Sequence, residues 1–217
     1  MSVLGFYGKL ASRGDFVSRD LEPAFTQPWD NWLAAGMLAS QQQLGEGWLS
    51  AYLISPLWRF ALAAGVCGPN AMVGVLMPSI DRVGRYFPLT VAQTLAPGQS
   101  VAGLAGGAEE WFGLVEKLML STLNQGVGFG VFEAALSRLT QLPAVARGPV
   151  SRMAGLQIFS AFDIHARQFE IAAIACESVS LWWGNGGEGV SQGLIRCKGL
   201  PDPQHFGSLL MGRGAEA

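Results

Sequence analysis

A cluster of charged residues in the middle of the chain has the composition of a recognition loop. The segment 79–85 contains Asp81, Arg82 and Arg85 beside Gly84, and it separates two strongly apolar runs. Loops held by a rigid sheet commonly carry binding residues, so this loop could be a recognition surface. A second interpretation stays open, because a solvated hairpin loop in which Asp81 caps the turn and pairs with an arginine has the same composition.

A second polar turn lies near the N-terminus at residues 11–15, and it contains Arg13 and Asp15. Each of the two charged turns follows a segment with the composition of a strand. We expect those two strands to be neighbours in one sheet, which would place Arg13 or Asp15 within contact range of residues 81–85. The two turns would then form one surface or line one pocket.

Other residues that could do chemistry do not match the spacing that such chemistry needs. The Gly-Lys pair at 8–9 lacks the glycine spacing of a phosphate-binding loop, and Leu10 stands where that loop needs Ser or Thr. The two histidines, His165 and His205, exclude a site with several histidine ligands. No Gly-x-Ser-x-Gly elbow is present, although a triad assembled from distant residues stays open. The sequence therefore predicts no catalytic residue, no metal and no cofactor.

Composition narrows the class of protein further. Half of the 217 residues are hydrophobic and only 14% are charged, so the surface is either small or unusually apolar. The net charge is −2 and no block of Lys and Arg occurs, which argues against nucleic-acid binding. The sequence shows no signal-peptide pattern and no apolar run of about 18 residues, so we expect a cytoplasmic protein without a membrane-spanning helix.

The three cysteines lie in apolar surroundings at positions 67, 176 and 197. They form no Cys-x-x-Cys pair, and an odd number of cysteines does not make a closed disulfide framework. We expect Cys67, Cys176 and Cys197 to be unpaired and largely buried, as inert thiols in a reducing compartment are.

The pattern of apolar segments predicts one α/β domain over residues 1–217, with a frayed tail at 212–217. One sheet with helices on both faces buries so many apolar faces most economically, so we expect a three-layer sandwich around a central mixed sheet. The segment 155–177 is ambiguous between a strand at 156–162 and a helix at 164–175, and 96–107 is predicted to be a loop. The predicted strands cover 3–10, 57–63, 71–77, 86–95, 179–183 and 193–197. The predicted helices cover 29–44, 48–54, 111–124, 131–142 and a short segment ending at residue 210.

Several blocks of sequence resemble the TagF family, also called ImpM, of accessory proteins of bacterial type VI secretion systems. The blocks follow one another in the order expected for the family. Ala11 departs from the family pattern, which has proline there, and residues 140–178 show no resemblance. The matching blocks are GFYGKL at 5–10, SRGDFV at 12–17, PWDNWL at 28–33, SPLWRF at 55–60, GVLMPSIDRVGRYFPL at 74–89, SLWWG at 180–184 and GLP at 199–201.

This resemblance implies a three-layer α/β fold and a cytoplasmic protein that represses type VI secretion after translation. It also implies that the protein acts through the forkhead-associated scaffold protein of the system, and it carries over no catalytic residue. Two hypotheses therefore remain: a regulatory binding module, or a small-molecule-binding protein or hydrolase with a pocket near the charged turns. The candidate binding residues are Arg13, Asp15, Trp58, Asp81, Arg82, Arg85 and Tyr86.

Overall fold

The framework of the protein is a seven-stranded sheet in the order β2-β1-β5-β4-β3-β8-β9. The computed structural model describes residues 4–96, 99–124, 126–139, 142, 150–153, 156–159, 164–187 and 192–212. Each pairing in the sheet is antiparallel, and β6 and β7 form a separate two-stranded hairpin. The strands are β1 (Leu4–Gly8), β2 (Val17–Arg19), β3 (Trp58–Leu62), β4 (Met72–Met77), β5 (Leu89–Thr94), β6 (Val150–Met153), β7 (Leu156–Phe159), β8 (Val179–Gly184) and β9 (Gly193–Lys198).

Helices cover both faces of this sheet. Helices α1, α2 and α7 pack on one face, whereas α3, α4 and α5 pack on the other, with α6 beside α3. None of the described helices combines the length and the apolarity needed to cross a membrane. The helices are α1 (Pro23–Leu44), α2 (Trp48–Ile54), α3 (Val101–Ala105), α4 (Glu109–Ser121), α5 (Phe129–Leu136), α6 (Ile164–Ala175) and α7 (Phe206–Met211).

Aromatic rings fill the layer between α1 and the sheet. The Trp29 ring lies 4.8 Å from Phe60 of β3 and is parallel to Trp182 of β8 at 6.0 Å. The indole N–H of Trp29 donates a 2.8 Å hydrogen bond to the Thr90 hydroxyl, so its polar atom is satisfied although the side chain is fully buried. Many of the aromatic residues of the sequence therefore pack into one core on this face.

The opposite face has a core of aliphatic and aromatic side chains, and the charged side chain of Arg59 is buried in it. Arg59 of β3 lies beneath α4, and its guanidinium donates to both carboxylate oxygens of Glu116 at 2.6 and 3.0 Å and to Glu109. Because a buried charge is stable only when it is paired, these hydrogen bonds fix α4 over β3.

The predicted three-layer α/β sandwich is confirmed, but the sheet is antiparallel where a mixed sheet was predicted. Short loops join β3 to β4 and β4 to β5, and antiparallel neighbours need no helical crossover. The predicted loop at 96–107 contains α3, and the strand predicted from residue 86 begins at Leu89. Within the ambiguous segment 155–177, the strand and the helix both form as β7 and α6.

The described cysteines are unpaired, as predicted, and two of the three are buried. Burial raises the pKa of the Cys67 thiol to about 12, and it also raises the pKa of Cys176. Cys197, on β9, is only partly buried, so the prediction of burial holds for Cys67 and Cys176 alone. The frayed tail predicted beyond Gly212 lies outside the described residues.

Candidate functional site

Two charged loops meet at one end of the sheet. They are the N-terminal loop (residues 9–16), which follows β1, and the β4–β5 loop (residues 78–88). Strand β5 lies between β1 and β4, and its first residue, Leu89, pairs with Gly8 on one side and Met77 on the other. The chain therefore leaves β1 and β4 and enters β5 at the same end of the sheet.

Direct hydrogen bonds join the two loops. The Arg82 N–H donates a 2.8 Å hydrogen bond to the Arg13 carbonyl, and the Arg85 guanidinium donates to the Gly14 carbonyl. The prediction that the two charged turns come within contact range is confirmed. The expectation that the two preceding strands are neighbours is wrong, because β5 lies between β1 and β4.

The close approach of the loops requires glycine at the end of β1. Gly8 has a φ of 134°, and a Cβ at this position would lie 2.1 Å from the Pro88 carbonyl oxygen. A side chain here would therefore force the β4–β5 loop away from β1.

Asp81 holds the β4–β5 loop in shape from the inside. Its carboxylate is fully buried; Oδ2 accepts hydrogen bonds of 2.7 Å from both Lys9 and Arg85, and Oδ1 accepts the N–H groups of Val83 and Arg85. Burial alone would raise the pKa of Asp81, but these hydrogen bonds outweigh burial and hold that pKa well below its usual range. Asp81 therefore stays ionised and supports the loop rather than contacting a partner.

Tyr52 of α2 fixes the start of the same loop. Its hydroxyl donates a 2.8 Å hydrogen bond to the Ser79 carbonyl and accepts one of 2.9 Å from the Ser79 N–H. The Ser79 hydroxyl in turn donates to the Lys9 carbonyl at 2.8 Å. Burial is the main cause of a raised pKa of Tyr52. One tyrosine thus links α2 to both loops through Ser79.

Trp58 is not part of the exposed surface, so its place among the candidate binding residues is wrong. Its side chain is buried beneath α7, where its indole N–H donates a 3.0 Å hydrogen bond to the Leu209 carbonyl. Tyr86 is half-buried, and its ring makes edge contacts with Trp48 and Tyr52. Tyr86 is therefore the partly accessible aromatic residue of the β4–β5 loop.

The tip of the β4–β5 loop is exposed and carries two kinds of side chain. Arg82, Val83 and Arg85 are exposed, and Val83 has 64% of its surface in water. Arg85 is already engaged by Asp81 and Gly14, whereas the Arg82 guanidinium has no hydrogen bond or ion pair to the described residues. Arg82 and Val83 are therefore the groups most available to a partner.

A groove of about 390 Å³ opens beside this tip, and we call it the arginine groove. Arg13, Asp15 and Arg82 line it, whereas Asp81 and Arg85, which the sequence-based hypothesis placed in the same pocket, do not. The Arg13 guanidinium lies 4.7 Å from the centre of the Phe129 ring, and Arg19 pairs with Glu133 of α5 at 2.6 Å. The remaining lining residues are Ser12, Gly14, Phe16, Val17, Ser18, Arg19 and Phe129.

Three residues of the site were not found from the sequence: Lys9, Arg19 and Phe129. Lys9 was considered only as part of a phosphate-binding loop, which it does not form. Phe129 is the first residue of α5, and its contact with Arg13 joins residues far apart in the chain. Of these three residues, only Lys9 could have been found from the sequence. It follows an apolar strand, and a lysine that is buried at a strand end needs a partner of opposite charge.

The chemistry of the site favours recognition. A general acid or base works best with a pKa near the operating pH, and Asp81 is far from that condition. Across the described ranges, no group of three or more His, Cys, Asp and Glu side chains could hold a metal ion.

The fold and the site together define a three-layer α/β module that presents a cationic loop surface at one end of an antiparallel sheet. Residues 5–139 match the TagF N-terminal domain, described as type VI secretion system-associated. The structure is also similar to the crystal structure of PA0076 from Pseudomonas aeruginosa PAO1, with a TM-score of 0.94 and 50% sequence identity over 99% of this chain and 96% of that one. Curated proteins gave no significant match. The chain belongs to the TagF family, which confirms the resemblance seen in its sequence.

Proposed function

We propose that the protein is a non-catalytic, cytoplasmic repressor of type VI secretion that acts after translation by binding the forkhead-associated scaffold protein. Membership of the TagF family supports the association with type VI secretion. The binding mechanism rests on one observation: buried hydrogen bonds around Asp81 fix a loop whose exposed tip carries Arg82 and Val83.

A fixed loop is a favourable binding element. Ordering a flexible side chain or loop at an interface costs free energy, and a loop already held in place avoids much of that cost. Arginine is among the residues that contribute most to interfaces when a partner removes it from water. Arg82 supplies such a charge and Val83 an adjacent apolar contact, so this tip has the composition of an interface centre.

Stoichiometry distinguishes binding from catalysis. In cells that carry the secretion system, the ratio of this protein to the scaffold is varied and secretion is measured. Repression by binding should be half-complete when the protein is present at roughly half the amount of the scaffold or more. Repression that persists at a small fraction of the scaffold concentration would contradict binding and favour an enzyme acting on a small molecule or a partner.

Charge reversal at the loop tip tests the surface itself. Arg82→Glu should weaken scaffold binding by about 2 kcal/mol, or roughly 30-fold in Kd, as measured by calorimetry. The matched control is Lys198→Glu, because Lys198 is exposed at the opposite end of the sheet and undergoes the same change of charge. A folded Arg82→Glu variant that binds and represses as well as the control would remove this loop from the mechanism.

A further inference from the structure

The arginine groove concentrates positive charge on a protein whose overall charge is negative. Three arginines and one aspartate line it, and the ion pairs beside it add two cations and two anions, which leaves a local charge of +2 against −2 for the whole chain. Such a local excess attracts an anion despite the opposite net charge, because nearby charges dominate at short range. The cations are Lys9, Arg13, Arg19, Arg82 and Arg85, and the anions are Asp15, Asp81 and Glu133.

The arginines of the groove are held in place before any ligand arrives. The Phe129 ring supports the guanidinium groups of both Arg13 and Arg19, at 4.7 and 5.5 Å from its centre. Glu133 orients Arg19, and the backbone of Arg82 is tied to the Arg13 carbonyl. The Arg82 guanidinium itself makes no hydrogen bond to any described residue, so its donors are free for a ligand.

We propose that the arginine groove binds a phosphate monoester carried on a polypeptide segment of the partner. A phosphorylated side chain carries a charge of roughly −1.5 to −2 and three strong acceptor oxygens, which match the local +2 and several guanidinium forks. Clustered arginines are a recurrent way to recognise phosphorylated segments. The inference rests on the proposed function, because it specifies what the partner surface recognises.

The surroundings of the groove favour a peptide over a free phosphate. Phe16 lines the groove with 49% of its surface exposed, and Val83 is exposed beside Arg82. These apolar groups can contact the residues that precede and follow a phosphorylated side chain. The carboxylate of Asp15 also lines the groove, where it repels an anionic ligand. Removing this charge therefore tests whether the ligand is an anion or a cation.

The test compares four probes by NMR titration at low salt. They are the blocked peptide Gly-Phe-phosphoserine-Val-Gly, the same peptide with serine, the same peptide with aspartate, and inorganic phosphate. The phosphopeptide should bind at least about 10-fold more tightly than each of the other three. Arg13→Gln combined with Arg82→Gln should remove at least about 10-fold of that affinity, Lys198→Gln should leave it unchanged, and Asp15→Asn should increase it several-fold.

Several results would overturn the inference. Equal binding of the phosphorylated and serine peptides, or retained affinity in the folded double variant, would exclude a phosphate site. Inorganic phosphate that binds as tightly as the phosphopeptide would exclude a peptide ligand, and weaker binding by Asp15→Asn would indicate a cationic ligand. Scaffold treated with phosphatase that still binds at full strength would also refute it. That last result would leave the proposed function intact, whereas the absence of any scaffold binding would refute the proposed function itself.

Discussion

Replacing Tyr52 by phenylalanine removes one oxygen atom that serves both loops. The ring keeps its place against Trp48 at 5.0 Å, so no large cavity forms. The Ser79 carbonyl loses one hydrogen bond but keeps another from the Phe87 N–H at 3.1 Å. The Ser79 N–H loses its described acceptor in a buried position. One lost hydrogen bond costs about 1 kcal/mol and a buried unpaired donor about 1–3, so the free energy of unfolding should fall by about 2–4 kcal/mol.

Denaturant unfolding measures this loss at pH 7, and the pH dependence provides a second measurement. Because the pKa of Tyr52 is raised in the folded protein, its contribution to stability is complete below about pH 10 and is lost as the pH rises further, where the unfolded tyrosine ionises first. Each unit of pH above that point removes up to about 1.4 kcal/mol through this residue. In the Tyr52→Phe variant, the free energy of unfolding should fall less steeply as the pH rises above about 10, because the contribution of Tyr52 is gone. The contribution of Tyr7, whose pKa is also raised, should remain.

Tyr86→Phe is the matched control, because the Tyr86 hydroxyl has no hydrogen bond to the described residues and its ring lies beside Tyr52. It should change the free energy of unfolding by less than about 0.5 kcal/mol. Exchange of the Ser79 and Arg82 amide hydrogens should accelerate only in Tyr52→Phe. If Tyr52→Phe matches this control in both stability and exchange, the reasoning that one hydroxyl fixes the loop is refuted.

Two further predictions concern the thiols and the junction of the loops. A thiol reagent should label Cys197 rapidly in the native protein, and Cys67 and Cys176 only after unfolding, as followed by mass spectrometry. Fast native labelling of all three would contradict their burial. Gly8→Ala should cost at least about 2 kcal/mol in denaturant unfolding, because a Cβ there meets the Pro88 carbonyl at a positive φ. An unchanged denaturation midpoint would show that the β4–β5 loop can move aside.

Local patterns predicted much of this fold. A near-continuous apolar run predicted β4, and β3 was predicted although it contains Arg59; the residues of both strands are buried throughout. The acidic start and apolar stripe of α4 predicted that helix. The direction of strand pairing depends on how loops route the chain, and a mixed sheet was therefore predicted wrongly. Helix α3 was missed because its five residues lie in a segment of Gly, Ala and Pro with little periodicity.

The candidate site could be predicted only in part. The contact between the two charged loops was predicted, although the adjacency of β1 and β4 from which it was predicted is wrong. The pairing of Asp81 with an arginine was one of the two interpretations weighed for the loop. The second partner of Asp81, Lys9, lies 72 residues away in the chain, and no local pattern encodes such a pair. Trp58 was misplaced because exposure depends on α7, which comes from the far end of the chain and covers it.

The position of β1 in the sheet determines when, during synthesis, the N-terminal loop and the β4–β5 loop can first come together. β1 is held in the sheet by β5, so the N-terminal loop has no fixed place until the ribosome has made residues 89–94. Before that point, a nascent chain already contains Arg13, Asp81 and Arg82, but it cannot bring them together without the entropic cost of closing a long loop. A chain that terminates within the β4–β5 loop would therefore contain most of the charged residues of the surface and have no means of assembling them.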